Sequence, residues 1–427
     1  MTQMMKSITW TDQQADALGR ARQWLSSPGR PYFMLAGYAG TGKTTLATTL
    51  AERVVNVHFA AYTGKAAHVL RKAGAPNPTT LHSLIYLPQE KCDEYFRELK
   101  RDRAALLRRD PVPTKDVAKL DVLIKRERKN LSHPDFVINP QSPLWDADLL
   151  VIDEYSMVDE DMGADLLSFN CPILALGDPG QLPPVNGEGR CFFKGEPDAM
   201  LTSIVRQGAN NPIIQMSMDV REGRRLSQGQ YGDSRVCNVR DLSDEQMGEI
   251  LKASDQFLVG TNVTRRKFNR YYREVMGLRK RQDFERKTRR YDTVVAEADL
   301  PVDGDLVVCR RNNRKECLYN GQPWKVLSAS KAHGGLLKLK LVDENGRVFM
   351  TLSHPHHFLG VENKIDPHSR RDANEFDYSY ALTVHRSQGS QWDHVVLYDE
   401  WRVPQSRRQW LYTGITRAAE TITVVQI

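Results

Sequence analysis

The chain has 427 residues, enough for two to four domains that each bury a core, and 40% hydrophobic with 26% charged residues is ordinary for a soluble globular protein. The formal charge of +7 suits an anionic partner, of which nucleic acid is the commonest. No apolar run of about 18 residues could span a membrane, and six scattered cysteines without a C-x-x-C pair argue against zinc or a disulfide framework.

The N-terminus lacks an apolar signal core, so a cytoplasmic compartment with reduced thiols is expected. The apolar run Tyr32 to Ala36 then leads into Gly37-Tyr38-Ala39-Gly40-Thr41-Gly42-Lys43-Thr44-Thr45, followed by the helix-compatible stretch Thr44 to Arg53. Gly37, Gly42, Lys43 and Thr44 satisfy the phosphate-loop pattern, in the strand–turn–helix context that it needs. Backbone N–H groups of Gly37, Ala39, Gly40, Thr41, Gly42 and Thr45 can converge on phosphate oxygens at a helix N-terminus. Lys43 can reach the β- and γ-phosphates and Thr44 can ligate Mg²⁺. ATP with Mg²⁺ is therefore expected.

Val54 to Ala60 reads as the next strand, and between Leu87 and Trp145 the chain becomes polar, charged and helix-prone, as an inserted subdomain would. Leu149 to Ile152 is an apolar strand ending in Asp153-Glu154, two carboxylates where ligands bind in open α/β sheets. Asp153 is a candidate Mg²⁺ ligand and Glu154 a candidate acceptor for the proton of the attacking water. A further strand, Ile173 to Leu176, ends in Gly177-Asp178-Pro179-Gly180-Gln181, where the Gln181 amide could hold water against the γ-phosphate.

Thr202 to Arg225 reads as helical and Asp255 to Val259 as a strand. Between Arg265 and Arg290 stand twelve basic and three acidic residues, interleaved with Phe268, Tyr271 and Tyr272. This pattern fits a solvated helix face or a polyanion-facing surface. Pro301 to Leu352 reads as all-β, with Leu306 to Arg310, Pro323 to Ser328, Leu336 to Val342 and Val348 to Leu352 as strands and a hairpin turn at Glu344-Asn345-Gly346. The chain returns to α/β at Tyr378 and closes with strands at His394 to Tyr398 and Thr421 to Val425.

In motif order the chain resembles superfamily 1 (class B, RecD-like) DNA helicases, nearest to the Dda-like members of bacteriophages. Thr11 to Ala17 resembles the glutamine motif, with Gln14 in the adenine-reading position. Thr63-Gly64-Lys65-Ala66-Ala67 and Thr80-Leu81-His82-Ser83 resemble DNA-contacting motifs. Val205-Arg206-Gln207 and Tyr412 to Ala418 resemble the motifs whose arginines, Arg206 and Arg417, reach the γ-phosphate. Tyr380 to Ser390 carries Thr383, His385 and Ser387 as DNA contacts and Gly389 among the nucleotide-binding residues. Tyr62 stands where proline is usual, and Arg386 where lysine is usual. Tyr62 and the Tyr271-Tyr272 pair are candidates to stack on bases.

The resemblance implies two RecA-like P-loop NTPase motor domains, parallel sheets flanked by helices, at 1–86 plus 146–200 and at 201–290 plus 376–427. It also implies a wedge or pin subdomain at 87–145 and an SH3-like β-barrel at 291–375. As function it implies ATP-driven 5′→3′ movement on single-stranded DNA and unwinding of forked duplex by a monomer. That function belongs to replication, recombination or repair, with a single-stranded-DNA-binding protein or replisome proteins as further partners and a host-cytoplasmic location if the source is a phage. Two other readings remain at this point: the motor-like subunit of a nuclease complex, and a small-molecule phosphotransferase on the same loop.

Overall fold

The computed structural model describes residues 9–427 except 28, 90–93, 109–112, 114–115, 118, 122, 125–134, 184–190, 204–210, 280–298, 312, 314–315, 317, 319, 345, 361–364 and 366–372. Nineteen strands among the described residues form three large sheets and one ribbon. The first sheet uses β1 (Tyr32–Gly37), β2 (Val57–Ala61) and β3 (Thr79–Thr80), and later β6 (Leu149–Asp153), β7 (Ile173–Gly177) and β8 (Ala199–Leu201). Their order is β3-β2-β6-β7-β1-β8, with every pairing parallel. Helices cover both faces, which is why the strands read as unbroken apolar runs. The period-two alternation still sorts them. Phe33, Leu35, Val151 and Leu174 enter one core, while Met34, Leu150, Ile152 and Ile173 enter the other.

Strand β2 begins at Val57, three residues later than the sequence suggests. The preceding helix ends at Ala51, Val55 is 97% exposed, and pairing starts only at Val57 opposite Leu149. The antiparallel ribbon β4 (Tyr86–Gln89) and β5 (Asp135–Ile138) carries the chain out of the first lobe and back. Between them the helix Glu94–Leu106 sets Phe96 and Leu99 against Ile124 in a small core of their own.

The second lobe orders its strands β17-β11-β18-β19-β10-β9. They are β9 (Gly229–Tyr231), β10 (Ser234–Asn238), β11 (Gln256–Val259), β17 (Ala381–Thr383), β18 (Trp392–Asp399) and β19 (Ala418–Gln426), parallel except for β9 with β10. Of the helical region expected at Thr202 to Arg225, residues 204–210 lie outside the described residues, and one helix stands in the rest. It begins at Pro212, capped by the Asn211 side chain, and ends at Arg221.

An antiparallel sheet interrupts this lobe: β12 (Leu306–Cys309), β13 (Pro323–Lys331), β14 (Leu337–Val342), β15 (Val348–Ser353) and β16 (Phe376–Tyr378), ordered β15-β14-β13-β12-β16. Leu337, Leu339 and Leu341 point inward while Lys338 and Lys340 point out. A bridge from Ser353 to Asn374 ties the last strand to the segment entering β16, so the two edges of the sheet meet.

The polyanion-facing reading of the basic run does not hold for Arg265, Arg273 and Arg279, whereas Arg266 and Lys267 are exposed. The run's described part is the helix Asn262–Val275 and the turn to Arg279, which cement the second lobe to the antiparallel sheet. Arg265, Arg273 and Arg279 are buried, and each is ion-paired: Arg265 with Asp377 at 2.6 Å, Arg273 with Asp305 at 2.8 Å, Arg279 with Asp299 at 2.8 Å. Phe268 packs on Phe257 at 4.2 Å, and Tyr272 stacks on Tyr380 at 4.6 Å, so these rings hold the core. Tyr271 packs against the same core and donates its hydroxyl to the Asp244 carbonyl. The remaining basic residues from 280 to 290 lie outside the described residues, as do Asn312, Asn345 and Arg206.

Candidate nucleotide site and nucleic-acid cleft

The C-terminal ends of β6, β7 and β1 are neighbours, which brings the carboxylate pair, the Gln181 loop and the phosphate loop to one edge of the first sheet. Gly40 and Gly42 adopt left-handed φ values of 79° and 86°, the turn that aims the loop's N–H groups inward. The helix Lys43–Ala51 starts directly behind. Lys43 Nζ donates to the carbonyls of Gly37 at 2.7 Å and Tyr38 at 3.0 Å, so it is folded over the loop. Thr41 is fully buried and donates to the Tyr38 carbonyl, whereas Thr44 is half-buried and Thr45 exposed.

Gln14 lies against this loop, but both ends of its amide are engaged. Oε1 accepts the Thr11 N–H in a capping box, and Nε2 donates to the Thr41 carbonyl at 3.0 Å. It therefore braces the loop, and the adenine contact expected of it would use the second N–H and the second lone pair of the same amide. Its neighbour Gln13 ties the same helix to Thr202 and Ser203 beyond β8.

Glu154 follows β6 in a left-handed conformation, φ 58° and ψ 50°, unusual for a residue with a Cβ. Such strain concentrates at functional sites. Burial and the adjacent Glu154 charge push the Asp153 carboxyl up to about 6, against the opposing pull of Lys43 and Arg417. Arg417 crosses from the second lobe, where it donates to the carbonyls of Thr413 and Ser390 and to the Thr416 hydroxyl. Its Nη1 stands 3.9 Å from Glu154 Oε1.

Two buried acceptors, Glu154 Oε2 and Gln181 Oε1, have no hydrogen-bond partner. Such atoms require a polar guest. A triphosphate with its attacking water, and a divalent cation beside Asp153 and Thr44, fit this donor and acceptor set.

Several contacts seal the seam between lobes. Arg221 lies 3.7 Å from the Tyr38 ring centroid, Tyr412 bonds Asp178, and Thr413 and Gln388 bond the backbone of Leu182. Sequence reasoning quoted Tyr412, Thr413 and Gln388 only inside motif strings and gave them no role, because their partners lie more than 200 residues away. Gly389 also belongs to the seam. Its nearest neighbours are Ala66 and Thr63, with a Cβ there falling 2.8 Å from the Ala66 Cβ, so it packs on the N-terminus of the first lobe's helix Gly64–Lys72.

A cleft of about 920 Å³ opens where the two lobes and the antiparallel sheet meet, lined among others by Tyr62, Thr63, Trp324, Lys325, His385 and Trp392. Of the expected DNA contacts, Thr63 and His385 line it; Thr80, His82, Ser83, Thr383 and Ser387 do not. Lys65 is in the first turn of the helix Gly64–Lys72, and its side chain lies outside the described set. Thr63 and Thr80 use their hydroxyls as helix caps, and Ser83 donates to the Thr80 carbonyl. Thr383 is 6% exposed. Ser387 is fully buried and donates to the Val384 carbonyl, so its expected phosphate contact is barred in this conformation. Tyr62 packs edge-on against His82 at 5.4 Å.

The chain matches the family model described as AAA domain over residues 9–237 and the UvrD-like helicase C-terminal domain over residues 378–425. It is 25% identical over 418 residues to the ATP-dependent RecD2 DNA helicase of Deinococcus radiodurans, covering 92% of this chain and 46% of that protein. It is 23% identical over 457 residues to the RecBCD enzyme subunit RecD of Haemophilus influenzae, covering 92% of this chain and 66% of that one. The chain thus spans less than two thirds of the length of these curated relatives.

Among solved structures it is similar to a Pif1 helicase described as unwinding forked double-stranded DNA, with a TM-score of 0.53, 17% identity and coverage of 97% of this chain and 92% of that one. It is also similar to a Bacteroides Pif1 helicase in complex with ADP-AlF3 and single-stranded DNA, with a TM-score of 0.51, 16% identity and coverage of 98% and 92%. These likenesses support the fold. They are to Pif1 proteins rather than to Dda-like ones, and neither curated relative comes from a phage, so the expected phage source has no support from them. With the first family model spanning more than half its length, the chain belongs to the AAA-domain family, and its C-terminal segment matches the UvrD-like helicase C-terminal domain.

Proposed function

We propose that this chain is an ATP-dependent DNA helicase that moves 5′→3′ along single-stranded DNA and opens forked duplex as it goes. The observation that carries the reading is the composite nucleotide site: Lys43, Asp153 and Glu154 come from one lobe and Arg417 from the other, 3.9 Å from Glu154. In this proposal Glu154 takes the proton of the attacking water, Gln181 holds that water, and Lys43 leaves the loop carbonyls for the β- and γ-phosphates. Arg417 meets the charge that develops on the γ-phosphate, a role that Arg206 would share. Thr44 and Asp153 would hold Mg²⁺, which when bound supplies charge neutralisation on the phosphates. Loss of the γ-phosphate removes the charge that Arg417 meets across the seam and so weakens its closure, and each turnover opens and recloses it. The strand would lie in the three-way cleft, gripped through its backbone without base specificity.

The domain divisions expected from the sequence belong to the same proposal. The ribbon-borne insertion at 87–145 acts as wedge, and the antiparallel sheet of the 291–375 insertion, completed by β16 just beyond its expected end, acts as an SH3-like barrel. Unwinding of matched duplexes bearing a 5′ or a 3′ single-stranded tail, with Lys43→Ala as control, is the test. Only the 5′-tailed duplex should open, and equal opening of both ends the polarity claim. The likeness to a RecBCD subunit favours one second reading, a motor subunit of a larger complex. In that case the purified chain would hydrolyse ATP on DNA yet open neither duplex.

A further inference from the structure

The loop from Asp178 to Leu182, which presents Gln181, is held in large part from across the seam. Tyr412 is 2% exposed and donates its hydroxyl to Asp178 Oδ2 at 2.6 Å. The other oxygen, Asp178 Oδ1, accepts the Gly180 N–H at 2.9 Å. The Tyr412 ring lies so near Gly180 that a Cβ there would come within 3.0 Å of it. One residue further, Thr413 Oγ1 accepts the Leu182 N–H at 3.0 Å, and Gln388 Nε2 donates to the Leu182 carbonyl at 2.9 Å. Contacts from the second lobe thus bracket Gln181 on both sides, while its own Oε1 has no partner.

We infer that Tyr412 is a positioning residue for hydrolysis: its hydroxyl holds Asp178, and through it the loop that presents Gln181, so that Gln181 is set for its water only while the second lobe is closed. The inference rests on the ATP-driven motor reading and adds to it the part that reports closure to the water. Burial pushes the Tyr412 hydroxyl far above its ordinary range, so it remains a donor throughout the working pH range. Opening of the seam breaks the bonds to Asp178 and to both backbone groups of Leu182 together, and the Gln181 loop is released as one unit. The arginine across the seam and this tyrosine then act on different atoms, one on charge and the other on the place of the nucleophile.

The test is Tyr412→Phe, which keeps the ring on Gly180 and removes one oxygen. DNA-stimulated kcat should fall about tenfold or more, with KM for ATP and the affinity for single-stranded DNA within about twofold of wild type. Asp178→Asn should give the same pattern, and the double variant should fall no further than either single one. Should Tyr412→Phe fold poorly, Thr413→Val removes the Leu182 contact from the same side without changing volume and should show the same split between kcat and KM. Wild-type kcat in Tyr412→Phe, or losses that simply add in the double variant, would overturn the inference and leave the motor reading standing. A wild-type chain that hydrolyses no ATP on DNA would overturn both.

Discussion

Glu154 shows how much of the site a short string can announce and what it omits. An apolar strand ending in two acids marks the edge of a parallel sheet, and the structure places both acids beside the phosphate loop. The left-handed backbone of Glu154 was not legible because a residue with a Cβ gives no sign of it, nor was its approach to Arg417, which comes from a chain segment more than 260 residues away. Glu154→Gln should retain nucleotide binding and lower kcat about 10²- to 10⁴-fold, the range for losing a general base; titration with a fluorescent ATP analogue beside steady-state turnover separates the two effects. Arg417→Ala should cost about 10³-fold in kcat as an arginine finger does, again with nucleotide bound. Burial holds the imidazoles of His82 and His385 below their ordinary 6.5. The unfolded chain takes up those protons more readily, so their share of stability is complete above about pH 6.5 and is lost as pH falls below it. The melting temperature should therefore drop between about pH 7.5 and 5.5, and less steeply in His385→Gln.

At the scale of elements, the helix Asn262–Val275 is the clearest lesson. Twelve positive charges in a short stretch look alike whether they face a polyanion or reach back to carboxylates, and the sequence does not say which. The carboxylates that decide it, Asp299, Asp305 and Asp377, lie between 20 and 112 residues from their arginines. Strands could be read because both faces of a covered parallel sheet demand apolar residues; the use of a charged helix as mortar could not. Asp305→Asn leaves the Arg273 guanidinium buried opposite a neutral amide. Breaking a buried pair of this kind typically costs about 3–5 kcal/mol. Denaturant unfolding should show that loss, while the salt dependence of DNA affinity stays as in wild type, because Arg273 has no phosphate to meet.

For the whole molecule, motif order announced two lobes, and the sheets deliver them, with Arg417 of one lobe reaching toward Glu154 of the other. The hydroxyl-bearing motif residues were legible as a group, but their number on the cleft wall was not. Helix capping and burial consume Thr80, Ser83 and Ser387, demands that act before any ligand arrives. A seam built from few polar bonds suits a machine that must part and rejoin. Single-stranded DNA bridging the lobes should accordingly accelerate ATP turnover, and Lys43→Ala should abolish it while melting like wild type.

Gln89 and Asp135 face one another across the ribbon, so the chain leaves for the insertion and comes home about one strand spacing apart. The described residues between them hang from a two-stranded ladder of four rungs, like a tool on a handle. Joining its open end by a tight turn would leave the first sheet whole, and such a shortened chain should still march along bare DNA while failing to part a duplex. Walking and prying would then prove to be separate trades, and the head of the tool could change over generations without retraining the legs.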